Sequence, residues 1–365
     1  MRFLDFEVLV FGTAIMLYKI QCTIYTCQVE KVTKVILDVL GGDTAPNAQL
    51  MGAIKALKQE PEMNLVLVGN KQVIDAFFDK HAEFKSRIEV VHTTTNIEMN
   101  EQPTQAIRNK PDSAIVMGLE LVRDRKDCVG FISAGNTGAL MTGAIMKIGR
   151  IAGVSRPALC PTFPTVRERK VLVLDVGANM DCKPINLVHF ALMADVYLKQ
   201  KGLENPRIGL LNVGTEEEKG NELTKETFQL LKKMPINFAG HVEARETFSG
   251  DYDAIITDGF AGNVLLKSME GCGKLYTTEL KKAMKGFPAV IGKLILAPRL
   301  LKMKKRLHED AAGGAILLGI KKPVTKIHGN ASPTTVSNAL VLSHRTGDMN
   351  LEEKIGQALK DISAD

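Results

Sequence analysis

None of the six cysteines, at positions 22, 27, 128, 160, 182 and 272, forms a CxxC pair, and no His/Cys cluster has zinc-ligand spacing. That absence excludes a zinc module or a disulfide scaffold and fits small buried thiols in a reducing compartment. Low-complexity tracts and repeats at solenoid or propeller spacing are also missing, which sets aside disordered and repeat architectures. No GxGxxG is followed by a ribose-binding acid, no Walker A lysine follows a GxxxxG, and no G-x-S-x-G elbow occurs. A nucleotide-dependent enzyme of the usual kinds and a serine hydrolase thus lose their main support. The apolar stretch 8–18 is too short to span a bilayer, and Asp5 and Glu7 stand where a secretory signal carries positive charge.

What is present is a globular composition: 365 residues, 45% hydrophobic and 24% charged, enough to bury a sizeable core. Apolar runs rich in Val, Ile and Leu recur at 35–39, 65–69, 88–92, 128–133, 171–175, 208–213 and 254–258. They do not alternate strictly, so both faces of each predicted strand are covered. Helical patterns between them are predicted at 46–59, 104–109, 113–124, 137–148, 184–201 and 221–233. The alternation predicts a doubly wound, mostly parallel α/β sheet. A hairpin-like interruption at 157–173, turning through "RERK", predicts an antiparallel insert or subdomain boundary.

Five predicted strands run into small polar loops: "GGDTAP" (41–46), "AGNTGA" (134–139), "GANMD" (177–181), "GTEEEKGNE" (214–222) and "GFAGN" (259–263). Strand tips of an open α/β sheet share one edge, where ligands bind, so the five loops are expected to converge. Glycine lets the backbone come close and turn several N–H groups toward one point, and a following helix adds unsatisfied amides: both suit an anion. Candidate binding residues are Gly42, Asp43, Ser133, Gly135, Asn136, Thr137, Gly138, Gly177, Asn179, Gly214, Thr215, Gly220, Asp258, Gly259 and Gly262. Lys219 is the one lysine set between glycine-rich turns, either a cation beside the anion or a solvated charge answering Glu216, Glu217 and Glu218. Asn221 and Asn263 are amide donors or simple cap and turn formers. His241 and His328 are expected in loops, and neither metal nor cofactor is called for.

The segment 280–308 carries nine Lys and Arg without a single acid; since the whole chain is +6, the remainder is −3. Phe287, Ile291 and Leu294 lie between flanking cations that include Arg299, Lys302, Lys304 and Lys305. Three readings suit such a helical hairpin: a core element, a tip dipping into an anionic membrane surface, or a dock for an acidic protein. Nucleic acid is disfavoured, because only Phe287 interleaves with the basic residues.

Together, "DVLGGDTAP", "SAGNTGAL", "LDVGANMD", "GLLNVGTEEEKGNELTK" and "DGFAGNVLLK" resemble the bacterial PlsX family of phosphate acyltransferases. The resemblance runs from about residue 32 to about 342. Residues 1–31 fall outside it as an extension, with Val32 a candidate initiator; 32–345 form the catalytic unit and 346–365 a C-terminal tail. It implies an isocitrate dehydrogenase/phosphotransacetylase-like fold, a homodimer, and a cytoplasmic protein peripherally attached to the membrane. The implied reaction converts long-chain acyl carrier protein and inorganic phosphate to acyl phosphate and free carrier protein. A downstream glycerol-3-phosphate acyltransferase would use that product in phospholipid synthesis. On this reading Lys219 positions phosphate while Asn221 and Asn263 stabilise the tetrahedral oxyanion. The rivals are a metal- and nicotinamide-dependent dehydrogenase of the same fold group and a non-enzymatic membrane scaffold. One departure is Ala312, where the family often has Tyr before the pair Gly313-Gly314.

Overall fold

The computed structural model describes residues 33–285, 292, 295–303 and 313–363. Its centre is one sheet of eleven strands. In chain order these are β1 (Lys34–Asp38), β2 (Asn64–Gly69), β3 (Ile88–His92), β4 (Cys128–Ser133), β5 (Ala158–Pro164) and β6 (Lys170–Leu174). They continue with β7 (Ile208–Asn212), β8 (Phe238–Glu243), β9 (Ala254–Ile256), β10 (Ala315–Leu318) and β11 (Val324–Lys326). Across the sheet the order is β3-β2-β1-β4-β11-β10-β5-β6-β9-β7-β8.

Parallel pairing joins β3, β2, β1, β4 and β11 on one side and β6, β9, β7 and β8 on the other. Between them lie three antiparallel steps, β11 to β10, β10 to β5 and β5 to β6. An odd number of reversals inverts the second half relative to the first. The hairpin predicted at 157–173 is the last of these steps, with residues 165–169 as its turn. β5 gives Ala158–Pro161 to β10 and Thr162–Pro164 to β6, so a single strand joins the two half-sheets.

Helices cover both faces. Over the first half, α1 (Asn47–Gln59) and α9 (Pro333–Gly347) enclose Leu50, Leu57, Val336 and Leu340 on one face. On the other face, α4 (Ala114–Asp124) and α5 (Thr137–Gly143, continued by a π turn to Ile148) enclose Ile115, Leu119 and Leu140. Gly118 allows α4 to lie close on the sheet, since a Cβ there would sit 2.2 Å from the ring of Phe131. The second half packs α6 (Pro184–Gln200), α7 (Glu222–Leu231) and α10 (Leu351–Ser363) around Leu187, Phe190, Met193 and Phe228. Val35, Ile36 and Leu37 of β1 are each fully buried, worth about 1.5–3 kcal/mol apiece relative to exposure.

Local signals set the helix ends. Asn70 caps α2 (Lys71–Phe78) by accepting from Gln72 N at 3.0 Å, Pro103 opens α3 (Pro103–Asn109), and Pro184 and Pro333 open α6 and α9. The stretch expected as a C-terminal tail carries α10, whose Ile355 and Leu359 are buried in the core. The long helix α8 (Gly259–Ala283) follows β9 and buries only Gly259 and Gly262 along its 25 residues.

Candidate active site

The inversion changes the site that the loops suggest. The tips of β1, β4 and β11 leave one edge of the sheet, and those of β6, β7 and β9 leave the other. By strand direction the five loops therefore fall into two groups, a first rim after β1, β4 and β11 and a second after β6, β7 and β9. Three antiparallel steps in mid-sheet are the reason for this grouping.

The first rim is organised by Asp38, the last residue of β1 and fully buried. Its carboxylate accepts from Leu40 N and Gly41 N, each at 2.9 Å, and from Ser133 Oγ at 2.7 Å. Ser133 Oγ in turn accepts from Gly135 N at 3.0 Å. Burial raises the pKa of Asp38, while the Ser133 hydrogen bond and the two amides oppose that rise. Lys326, at the end of β11, brings its ammonium to the carbonyls of Ala134, at 3.3 Å, and Ile327. Desolvation lowers its pKa to about 8, against the attraction of Asp38 and Asp43. Asp43 lies exposed at the mouth, with its backbone N–H on Gly329 O at 2.7 Å. Gly42 has φ +94°, and a Cβ there would meet Gly329 O at 2.7 Å, so this crossing of two loops needs glycine.

Asn136, expected to donate to an anion, is spent on structure. Its Oδ1 caps α5 through Ala139 N at 3.0 Å, and its Nδ2 donates to the carbonyls of Glu98, Met99 and Glu101. Thr137 opens α5, and Gly138 is packed against Pro103, which a Cβ would meet at 2.6 Å. The loop's small residues thus fasten it to residues 98–103 as well as shaping the rim.

On the second rim, Asp175 follows β6 and is also fully buried. It accepts from Leu159 N, Ala178 N, Asn179 N and Asn179 Nδ2 at 2.6–3.1 Å. Burial lifts its pKa to about 6 despite these donors. Gly177 (φ +107°) lies beside Asn263 of α8, and Asn179 O accepts from Gly259 N at 2.8 Å. Gly262 touches the same turn, while Asp258 caps α8 through Ala261 N at 2.7 Å. This set is tightly assembled, and all its short contacts are internal.

The β7 loop is self-contained too. Asn212 Nδ2 donates to Lys219 O at 2.9 Å, Gly220 (φ +100°) lies against Asn212 and Thr224, and Asn221 caps α7 through Thr224 N at 2.9 Å. Lys219 and Thr215 are exposed and Gly214 is buried. Glu217, a proposed answer to Lys219, pairs instead with Lys232 at 2.9 Å. His241 is a strand residue of β8, not a loop residue; it is buried, with Nδ1 3.0 Å from Glu216 O. His328 does lie in a loop, 3.8 Å from Glu270 of α8.

Of the segment 280–308, Phe287, Ile291, Leu294, Lys304 and Lys305 lie outside the described residues. Residues 295–303 are helical, with Arg299 and Lys302 exposed beside exposed Ile295, Leu301 and Met303. Among the described residues no group of three or more His, Cys, Asp or Glu could hold a metal ion. No helix among them is long and apolar enough to cross a membrane.

Sequence reasoning missed Asp38, Asp175 and Lys326. The available signal was a charged residue closing an apolar run, in "ILD", "VLD" and "VTK".

The architecture is that of the phosphotransacetylases. A phosphotransacetylase from Streptococcus pyogenes aligns with a TM-score of 0.56 at 16% identity, over 87% of this chain and 96% of that one. The EutD phosphotransacetylase from Staphylococcus aureus gives 0.54 at 16%, over 90% and 95%. Such identities carry the fold alone. The sequence goes further: residues 33–354 match the family described as Fatty acid synthesis protein. The phosphate acyltransferase of Bacillus cereus (strain B4264) is 42% identical over 324 residues, 88% of this chain and 96% of the relative. That of Brevibacillus brevis is 43% identical over 331 residues, 90% and 97%. The chain belongs to this family and is a phosphate acyltransferase, an enzyme that transfers an acyl group with phosphate.

Proposed function

We propose that the enzyme transfers a long-chain acyl group from the thioester of acyl carrier protein to inorganic phosphate, giving acyl phosphate and free carrier protein. The observation that carries this reading is the first rim, where a cation with lowered pKa, a fixed carboxylate and glycine-lined backbone meet at one sheet edge. Phosphate needs a partly dehydrated seat from which an oxygen can face the thioester carbonyl, and holding both reactants supplies much of the rate. Thiolate leaves readily, so a covalent enzyme nucleophile is not required. Of the described cysteines, Cys128 and Cys160 are buried, and burial pushes Cys128 up to about 11 and raises Cys160 further, far from a reactive thiolate.

The finer parts of the reading rest on the basic segment. Exposed Ile295, Leu301 and Met303 beside Arg299 and Lys302 suit an anionic membrane surface, and the surplus of positive charge suits an acidic carrier protein. Peripheral membrane attachment, a homodimer, and hand-over of acyl phosphate to a glycerol-3-phosphate acyltransferase belong to the same proposal.

The test is incubation of the purified full chain with palmitoyl carrier protein, with phosphate omitted and then restored. Acyl phosphate and free carrier thiol should appear only with phosphate. Equal thiol release without phosphate, or no release in either case, overturns the reading.

A further inference from the structure

A cavity of about 550 Å³, a volume suited to a small molecule, lies between α6 and α9. Its wall draws on both halves of the molecule. Asn338, Val341, Leu342 and Arg345 come from α9, Thr162 from β5, and Lys170 from the start of β6. Lys201, just past α6, and Met349, just past α9, complete it beside Gly313 and Gly314. None of these residues belongs to the Asp38 or Asp175 clamps.

Three of the lining side chains are cationic, and among the described lining residues there is no Asp or Glu. Lys201 is exposed as a residue, yet its ammonium sits 4.8 Å from the centroid of the buried Tyr197 ring. Desolvation, joined by the charge of Lys170, lowers its pKa to about 8. Arg345 gives Nε and Nη2 to Glu60 Oε1, at 3.1 and 2.7 Å, and its Nη1 has no partner among the described residues. The Lys201 ammonium, the Asn338 amide and the Thr162 hydroxyl likewise have no hydrogen-bond partner among them. Cations that repel one another across a shared hollow favour an anion there. A bare inorganic ion would leave the half-buried side chains of Val341, Leu342 and Met349 uncovered, so the complementary ligand has an apolar part as well.

We propose that this cavity binds a phosphate monoester carrying an apolar chain, with Lys170, Lys201 and Arg345 on the phosphate and Val341, Leu342 and Met349 along the chain. A guanidinium fork with two ammonium groups suits a doubly charged phosphate better than a carboxylate. This is a second ligand site, and it does not rest on the acyl-transfer reading. Because its wall comes from both halves, an occupant fastens them together and stabilises the folded chain.

The experiment titrates the full chain calorimetrically with octyl phosphate, which should bind and raise the melting temperature. Octan-1-ol has the chain alone and inorganic phosphate the head alone; each should bind at least about tenfold more weakly. Octanoate, which compares the head groups, should also bind more weakly. Lys201→Gln should weaken octyl phosphate about tenfold, and its combination with Lys170→Gln about 10–100-fold. Melting without ligand checks the folding of both variants, and their turnover on palmitoyl carrier protein and phosphate should match wild type. The proposal is overturned if the variants bind octyl phosphate like wild type, or if octan-1-ol, inorganic phosphate or octanoate binds as tightly. It is equally overturned if the variants lose turnover in the absence of octyl phosphate, which would place the cavity in the transfer reaction or in carrier-protein docking. Should the double variant fail to fold, Lys201→Gln alone decides. A wild type without transfer activity fails at the earlier reading only, since the titration needs no turnover.

Discussion

At the tips of β1 and β6 the chain uses the same opening, Leu37-Asp38-Val39 and Leu174-Asp175-Val176, leading into turns at Gly41-Gly42 and at Gly177. Both aspartates are fully buried, and both accept amides from their own loops. They differ in what completes the shell. Asp38 ends on a hydroxyl with Lys326 nearby, whereas Asp175 ends on the Asn179 side-chain amide. A buried carboxylate after a strand is first a clamp for the loop that follows. Only where a cation joins it does the clamp become a place for charge chemistry. The first rim thus completes its clamp with a hydroxyl beside a cation, and the second with a side-chain amide.

The largest effect expected from that contrast concerns glycine. A Cβ on Gly262 would lie 1.9 Å from the backbone oxygen of Asp175, which cannot move without breaking the turn. Gly135, on the other rim, would meet the terminal Cδ1 of Ile115 at 3.0 Å, and that end can swing aside. Urea denaturation should show Gly262→Ala destabilised by about 3 kcal/mol and Gly135→Ala by about 1 kcal/mol or less. The reverse order would mean that the second rim is the looser one.

Next is Asp175→Asn. Oδ2 accepts from Asn179 N at 2.6 Å and from Asn179 Nδ2 at 2.9 Å, while Oδ1 accepts from Leu159 N and Ala178 N. An amide placed there sets donor against donor on one side, for a loss of about 1–3 kcal/mol. There is a pH signature as well. With a folded pKa of about 6 against 3.8, the folded form still holds the proton after the unfolded form has lost it. Stability from this group is therefore full below pH 3.8 and is lost as pH rises through 6. The variant should lose that component of the slope, and an unchanged stability profile between pH 4 and 6 would show Asp175 to be less enclosed than its contacts state.

The smallest effect lies far from either rim. Glu89 bridges Arg125 and Lys34 at the start of the sheet, and the Arg125 hydrogen bond leads in lowering its pKa to about 2. Its depressed value gives stability that is present above pH 4.5 and lost as pH falls toward 2. Because its side chain is 39% exposed, solvent screening limits the loss in Glu89→Gln to about 0.5–1 kcal/mol at neutral pH. The substitution should leave turnover untouched, which separates a surface network from the clamp at Asp38.

Much of the layout was legible because it is local. Apolar runs placed β1 to β4, β6, β7 and β9 within about two residues of their ends, and cap residues such as Ser113 and Asn221 set the helix starts. The reversal was not legible. The turn at 165–169 shows that β5 and β6 pair, but the two further reversals depend on β10 and β11, short strands more than 150 residues away in the chain. Strand tips that look equivalent in sequence were thus sorted to different edges by partners that no local pattern reveals. The same limit hid Lys326: a lysine closing a three-residue strand looks like a surface charge until β4 is laid beside it. Asn136 shows the opposite error, since its amide looks free in sequence while three distant carbonyls already hold it.

β5 has a mechanical meaning. Because its first residues are stitched to β10 and its last to β6, the hydrogen-bonded continuity between the two half-sheets runs through seven residues of backbone. Leu159 N, within that strand, donates to Asp175, and β10 on its other flank pairs Ala315 with Lys326. A displacement of this one ribbon would reach both carboxylate clamps at once, like a tie-rod between two wheels.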